Sequence, residues 1–152
     1  MSDRRSAARV RVVLTAALAA CLGVQTSADS LEISGNVSLT LNTVVSVGGG
    51  LAEDTDTTTY SVTNTIGNKK LVGRLNTPMP AHVTLTLQAA APIGAIASGP
   101  VTLTASDQDL VTGIGAIVQS GLALTFTLSA TVQAGVVTAD SRTVTLTLVD
   151  AP

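Results

Sequence analysis

The side chains best suited to catalysis are few in this sequence, and they are scattered. The one histidine is His82, which lies two residues after Pro80 in a turn-forming stretch. A Ser-His-Asp mechanism needs a histidine as the base that activates a serine. The sequence has no Gly-x-Ser-x-Gly turn to hold such a serine. The pair Gly113-Ile-Gly115 lacks the further glycine and the helix of a dinucleotide site. We therefore expect no catalytic residue and no bound cofactor, and the chain is not predicted to be an enzyme.

One cluster of carboxylates has the chemistry to hold a metal ion. Glu53, Asp54 and Asp56 follow three glycines, and carboxylates on a flexible loop are ligands that calcium accepts. No EF-hand or glycine–aspartate repeat frames them, and the residue types of the usual zinc sets are missing. The three residues are calcium candidates, and a solvated acidic loop is the ordinary alternative.

Aromatic residues are almost absent, which argues against sugar chemistry. Tyr60 and Phe126 are the only two aromatics, and there is no tryptophan. A glycosidase or a carbohydrate-binding surface would need stacking aromatics beside its carboxylates. Rows of threonine can order water, as in ice-binding proteins, but without a regular repeat such rows would lie on a twisted sheet and lose their match to a lattice.

The first 28 residues have the order of a secretory signal peptide. A basic stretch precedes a short apolar run at residues 12–24, and Thr26-Ser-Ala28 then supplies small residues for cleavage. The apolar run is shorter than the roughly 20 residues of a membrane-spanning helix, and no later segment is longer. The basic stretch consists of Arg4, Arg5, Arg9 and Arg11. The sequence predicts a signal peptide at residues 1–28, a mature domain at 29–152 and a secreted or cell-surface protein of a bacterium.

A second interpretation of the same segment involves Cys21. Leu18-Ala-Ala-Cys21 resembles the lipobox of bacterial lipoproteins, in which the cysteine is acylated and becomes the mature N-terminus. Such an acylated cysteine would anchor the protein to a membrane. The apolar run continues past Cys21, which favours cleavage after Ala28, but both alternatives stay open.

Removal of residues 1–28 changes the charge and the redox chemistry of the chain. The mature part keeps four basic side chains against nine carboxylates. So few cations cannot neutralise a run of phosphates, and we expect no binding to nucleic acid. Cys21 is the only cysteine, so the mature domain is predicted to fold outside the cell without a disulfide.

The mature part alternates apolar residues with threonine or serine. Segments of this kind start at Val37, Val83, Val101, Leu122 and Val144, and period-2 alternation places aliphatic side chains on one face of a strand. Weaker strands are predicted at 58–63, 69–75 and 109–118, and Gly/Pro/Asn-rich turns separate them. The fold class is therefore all-β: an immunoglobulin-like antiparallel β-sandwich of about seven to nine strands, with Phe126 near its centre.

The segment at residues 31–47 is the candidate for assembly. Its apolar row would complete the chain's own sandwich, or it would insert into a neighbouring subunit and supply strand pairing there. Glycines 48–50 separate this segment from the rest, so residues 29–50 form an N-terminal strand and a glycine-rich hinge. The apolar row consists of Val37, Leu39, Leu41, Val45 and Val47.

This layout resembles secreted fimbrial and spore-coat-U-like subunits. The resemblance lies in the signal, the alternating N-terminal strand, the Thr/Val-rich domain and the terminal strand Arg142-Thr-Val144-Thr-Leu146-Thr-Leu148. It implies a building block of surface fibres or coats that is assembled by strand donation, with itself or homologous subunits as partners. Chaperone-assembled pilins usually carry a cysteine pair, and this chain has none.

The sequence thus favours a non-enzymatic, exported structural or adhesive subunit of a cell-surface fibre or coat. The alternative is a lipid-anchored surface β-sandwich, attached through Cys21, in which loops near residues 53–58 and 91–100 bind a ligand.

Overall fold

The computed structural model of the chain describes residues 8–18, 29–41, 52–134 and 140–152. This part of the chain is almost entirely β-strand, with one short 3-10 turn, η1 (Val132–Ala134). The strands are β1 (Ala8–Leu18), β2 (Ser30–Ser34), β3 (Leu39–Leu41), β4 (Ala52–Asn64), β5 (Lys69–Leu75), β6 (Val83–Ala89), β7 (Ile96–Ala97), β8 (Val101–Thr102), β9 (Gln108–Ile114), β10 (Ile117–Ala130) and β11 (Asp140–Asp150).

These strands form two sheets that pack face to face. Sheet A has the order β3-β1-β11-β5-β9-β7, and sheet B has the order β2-β4-β10-β6-β8. Neighbouring strands are antiparallel, except that β1 runs parallel to β11. The predicted β-sandwich is confirmed. The described residues form eleven strands, more than expected, because they include β1 and several very short edge strands.

The alternation in the sequence becomes the two faces of each sheet. In β6 and the second half of β10, every second residue is buried and the threonines or serines between them are partly exposed. The core is almost purely aliphatic, with Tyr60 and Phe126 as the fully buried aromatics. Such a core is stabilised mainly by the removal of aliphatic surface from water.

The structure places one predicted turn inside a strand and divides one predicted strand into two. Residues 119–121, predicted as a turn, are a bulge inside β10, where the pairing with β4 shifts between Gln119 and Leu122 and Gly121 adopts a φ of 71°. The segment at 31–41 is not one strand, because β2 belongs to sheet B and β3 to sheet A. Gly35, with a φ of 89°, lies where the chain leaves the first sheet for the second.

The edges of both sheets are short. The four edge strands β3, β7, β2 and β8 have three, two, five and two residues. They cover only part of their longer neighbours, since β2 aligns with residues 59–63 of β4 and β3 with residues 8–10 of β1. No helix among the described residues is long and apolar enough to cross a membrane.

Candidate functional site

Strand β11 of sheet A depends on one neighbour, β1, for its pairing on one side. Strand β11 has eleven residues and lies between β5 and β1. Nine of its residues, 140–148, align with residues 10–18 of β1. Strand β1 lies entirely within the predicted signal peptide. The pairing of β11 on this side is therefore supplied by a segment whose removal is a prediction from the sequence.

The inner face of β11 belongs to the centre of the core. Val144, Leu146 and Leu148 are at most 1% exposed, and the threonines between them lie on the outer face with partial exposure. The strand has no proline and no lysine, which are the residues that commonly protect an exposed edge. By length and composition, β11 is built as an inner strand.

Strand β3 covers little of the same region. It aligns with β1 at three positions only, Ala8 to Val10, which is the end of β1 nearest Asp140. The preceding residues 30–34 are paired with β4 in the other sheet. Within the described residues, the N-terminal segment therefore pairs with β1 and β4 and not with β11.

The predicted assembly row is partly within the described residues. Val37, Leu39 and Leu41 are 2%, 1% and 7% exposed and pack in the chain's own core. Val45 and Val47 lie outside the described residues. In this structure the described half of the row completes its own sandwich, and its donation to another subunit stays a prediction.

Three inward-facing polar side chains of β4 hold the segment that carries this row. The carboxylate of Asp56 accepts a hydrogen bond from the backbone N–H of Ser38 at 2.8 Å, and that of Asp54 accepts one from the N–H of Thr40 at 2.5 Å. The hydroxyl of Thr58 donates to the carbonyl oxygen of Ser34. We call Asp54, Asp56 and Thr58 the β4 clasp.

The β4 clasp changes the interpretation of the calcium candidates. Glu53, Asp54 and Asp56 were expected on a flexible loop, and this expectation is wrong because all three lie in β4. Successive side chains of a strand point to opposite faces, so Glu53 faces away from the other two. Within the described ranges, no group of three or more histidine, cysteine, aspartate or glutamate side chains is arranged to hold a metal ion.

The remaining sequence candidates do not converge. His82 is exposed in the turn before β6, where its φ of 64° is left-handed and its carbonyl oxygen accepts from the N–H of Thr131 at 3.1 Å. Cys21 lies outside the described residues.

The first residue of the predicted mature chain is fixed to the fold. Asp29 accepts hydrogen bonds from the backbone N–H and the hydroxyl of Thr65, both at 2.9 Å. Lys69 lies 3.1 Å from Asp29 and 2.7 Å from Asp150. The backbone bond from Thr65 is the main cause that lowers the pKa of Asp29, and the bond to Asp150 is the main cause that raises the pKa of Lys69. Sequence reasoning did not identify this network, since its members come from three distant segments.

A second surface with unusual chemistry lies where β4 ends and β10 begins. Ile66, Ile93 and Val118 are 53%, 82% and 78% exposed. The N–H of Ile93 donates to the side-chain oxygen of Gln119 at 2.9 Å, which holds the 90–95 loop beside the start of β10. Clusters of exposed apolar side chains are uncommon on monomeric proteins and often mark contact sites.

Comparison with known proteins gives no family for this chain. No protein-family model matches the sequence, and no curated protein is significantly similar to it.

Proposed function

We propose that this chain is an exported, non-enzymatic structural or adhesive subunit of a cell-surface fibre or coat, assembled by strand donation. The observation that carries the proposal is the position of β1: it lies in the sheet beside β11, and it lies inside the predicted signal peptide. A processed chain would lose this strand, and the side of β11 that β1 covers would become an edge of the sheet.

An edge of this kind favours assembly. Unpaired N–H and C=O groups along an edge form a template for a strand from another chain. Residues 52–58 of β4 lie beyond β2, but the inward-facing carboxylates of Asp54 and Asp56 protect an edge there. Strand β11 has eleven residues and an apolar inner row. The strongest site for strand addition is therefore β11.

The donor in this proposal is an internal segment of a second copy. Asp29 and β2 are held on their own domain by Thr65, Lys69 and β4, so cleavage after Ala28 leaves no free N-terminal extension to donate. Residues 39–47 are nine in number and carry the apolar alternation, which matches the nine aligned positions of β11. Exchange of an internal segment between identical copies, repeated from one subunit to the next, gives an open filament.

Lysines on the outer face of β11 would test this function. We expect Thr145→Lys with Thr147→Lys to abolish fibres of residues 29–152, because charges on an edge strand disfavour addition of another strand. The matched control is Thr125→Lys with Thr127→Lys, on the outer face of the inner strand β10; all four threonines have intermediate exposure. Electron microscopy and sedimentation of the purified proteins provide the measurement. Equal assembly of both variants, or a parent protein that stays monomeric at high concentration, would contradict the proposal.

The second candidate is a surface-anchored binding module. It is favoured by the exposed apolar side chains of Ile66, Ile93 and Val118, since Ile93 belongs to one of the predicted ligand loops. In this alternative Cys21 is acylated and the domain stays monomeric. Mass spectrometry of the mature N-terminus separates the two, because an acylated Cys21 is incompatible with cleavage after Ala28.

A further inference from the structure

Strand β1 occupies the position that an incoming strand would need. It lies between β3 and β11 and is paired with both. Its alignment with β11 runs from Val10 opposite Asp140 to Leu18 opposite Leu148 without a shift. A second copy cannot pair with β11 on this side while β1 is present.

We propose that residues 8–18 are an intramolecular cap of the assembly edge, so that the unprocessed chain is held as a monomer and removal of its export segment permits assembly. The inference rests on the proposed function, in which β11 accepts a strand. It adds a regulatory role to a segment that the sequence predicts to act only as an export signal.

The cap has an advantage over any strand from another chain. Because β1 belongs to the same chain, its effective concentration at β11 is of the order of millimolar, whereas pairing with a second copy depends on the concentration of free subunits. Nine of its residues align with β11 and three with β3, and among the described pairs only Val10 has a partner on both sides. An incoming strand would have to displace both sets of pairs.

Strand β1 cannot pair with β11 while the same residues are engaged in export. A segment that is engaged by the export machinery cannot be paired with β11, and a segment that has been cleaved away cannot return at the same effective concentration. The capped form is thus the folded, unprocessed chain, and the assembly-competent form is the processed one.

The test uses the full chain with a specific protease site in place of residues 25–28. Before cleavage, we expect a monomer by analytical ultracentrifugation and slow hydrogen exchange at the amides of residues 142–148. After cleavage and dilution, we expect loss of protection at those amides that face β1, followed by the appearance of oligomers.

A variant of the uncut chain tests the same point without a protease. Val13, aligned with Thr143, is replaced by proline, which removes a backbone N–H and interrupts pairing. Val13→Pro should oligomerise without cleavage, and Val13→Thr, which keeps the N–H and the β-branched side chain, should remain monomeric.

The outcomes separate the two proposals. Oligomers of the uncut parent chain equal to those of the cut chain, or a monomeric Val13→Pro chain with β11 still protected, would overturn the cap and leave strand donation standing. Loss of β11 protection on cleavage without any oligomer would show that β1 covers β11, but it would overturn strand donation and with it the assembly that the cap is proposed to control.

Discussion

Asp54 and Asp56 hold the 37–41 segment by its backbone, so the contact does not depend on the side chains of that segment. Both carboxylates lie on the inner face of β4, where the next inward positions are occupied by Thr58, Tyr60 and Val62. Inward-facing polar residues at the margin of a sandwich are a known way to protect an edge. Here they also accept hydrogen bonds from the backbone N–H groups of Ser38 and Thr40.

Removal of these two carboxylates should loosen the segment without unfolding the sandwich. We expect Asp54→Ala with Asp56→Ala to lose about 1 kcal/mol of stability for each bond and to speed hydrogen exchange at the amides of Ser38 and Thr40. The control is Asp107→Ala, because Asp107 is exposed and lies 3.8 Å from Arg74. Unchanged exchange at Ser38 and Thr40 in the double variant would show that the β4 clasp does not hold the segment.

Gly73 is a position where the addition of one side-chain carbon would crowd the core. A Cβ atom added there would lie 2.9 Å from a methyl carbon of Leu110 and 3.1 Å from one of Leu146, and both leucines are fully buried. Both side chains are packed in the core cluster, so at least one of them must shift to admit the added atom.

We therefore expect Gly73→Ala to lower the free energy of unfolding by about 1–3 kcal/mol, the usual cost of overpacking a core. Gly115→Ala is the matched control, because a Cβ at Gly115 meets no atom within 4 Å. Urea denaturation of both variants provides the measurement. A destabilisation by Gly115→Ala equal to that by Gly73→Ala would refute the packing explanation.

At the scale of elements, the alternating segments were predictable because each of their faces meets one environment. Strands β6, β11 and the second half of β10 carry aliphatic residues inward and threonines outward, and period 2 is the direct signature of that arrangement. The beginning of β4 was not predictable in the same way. Acidic residues are depleted in strands, so residues 53–57 resembled a loop until the partners of Asp54 and Asp56 were known.

The candidate site was harder to predict than the strands. Its acceptor strand, β11, was identified as a strand from the sequence, but its dependence on β1 was not. Pairing between residues 10 and 140 joins the two ends of the chain, and no local pattern encodes such a partner. Near Gly35, which has a positive φ, the chain crosses from one sheet to the other. The predicted N-terminal strand is therefore two strands in different sheets.

At the scale of the whole molecule, the sandwich depends on its core and its ladders, since no disulfide is available to the described residues. One consequence concerns alkaline pH. Tyr60, the only tyrosine, is fully buried, and its hydroxyl donates to the carbonyl oxygen of Ala90 at 2.5 Å. Burial raises the pKa of Tyr60 to about 12, because the phenolate would lose its hydration.

The folded chain should therefore keep the Tyr60 proton at a pH at which the unfolded chain has lost it. Below the unfolded pKa of about 10, the neutral hydroxyl is present in both states and the contribution of Tyr60 to stability is complete. Between that pH and about 12 the unfolded chain binds fewer protons, so the free energy of unfolding falls by about 1.4 kcal/mol per pH unit. Near-ultraviolet absorbance of the phenolate follows the titration in the folded and the urea-unfolded protein. The pKa of Lys69 is also raised, so Lys69 contributes to the loss of stability at alkaline pH as well. The variant Tyr60→Phe keeps Lys69 and its partners, and comparison with the parent protein isolates the part of the loss that belongs to Tyr60. A midpoint near the ordinary tyrosine value in the folded protein, or the same alkaline loss in Tyr60→Phe, would mean that the hydroxyl of Tyr60 is not sealed between the two sheets.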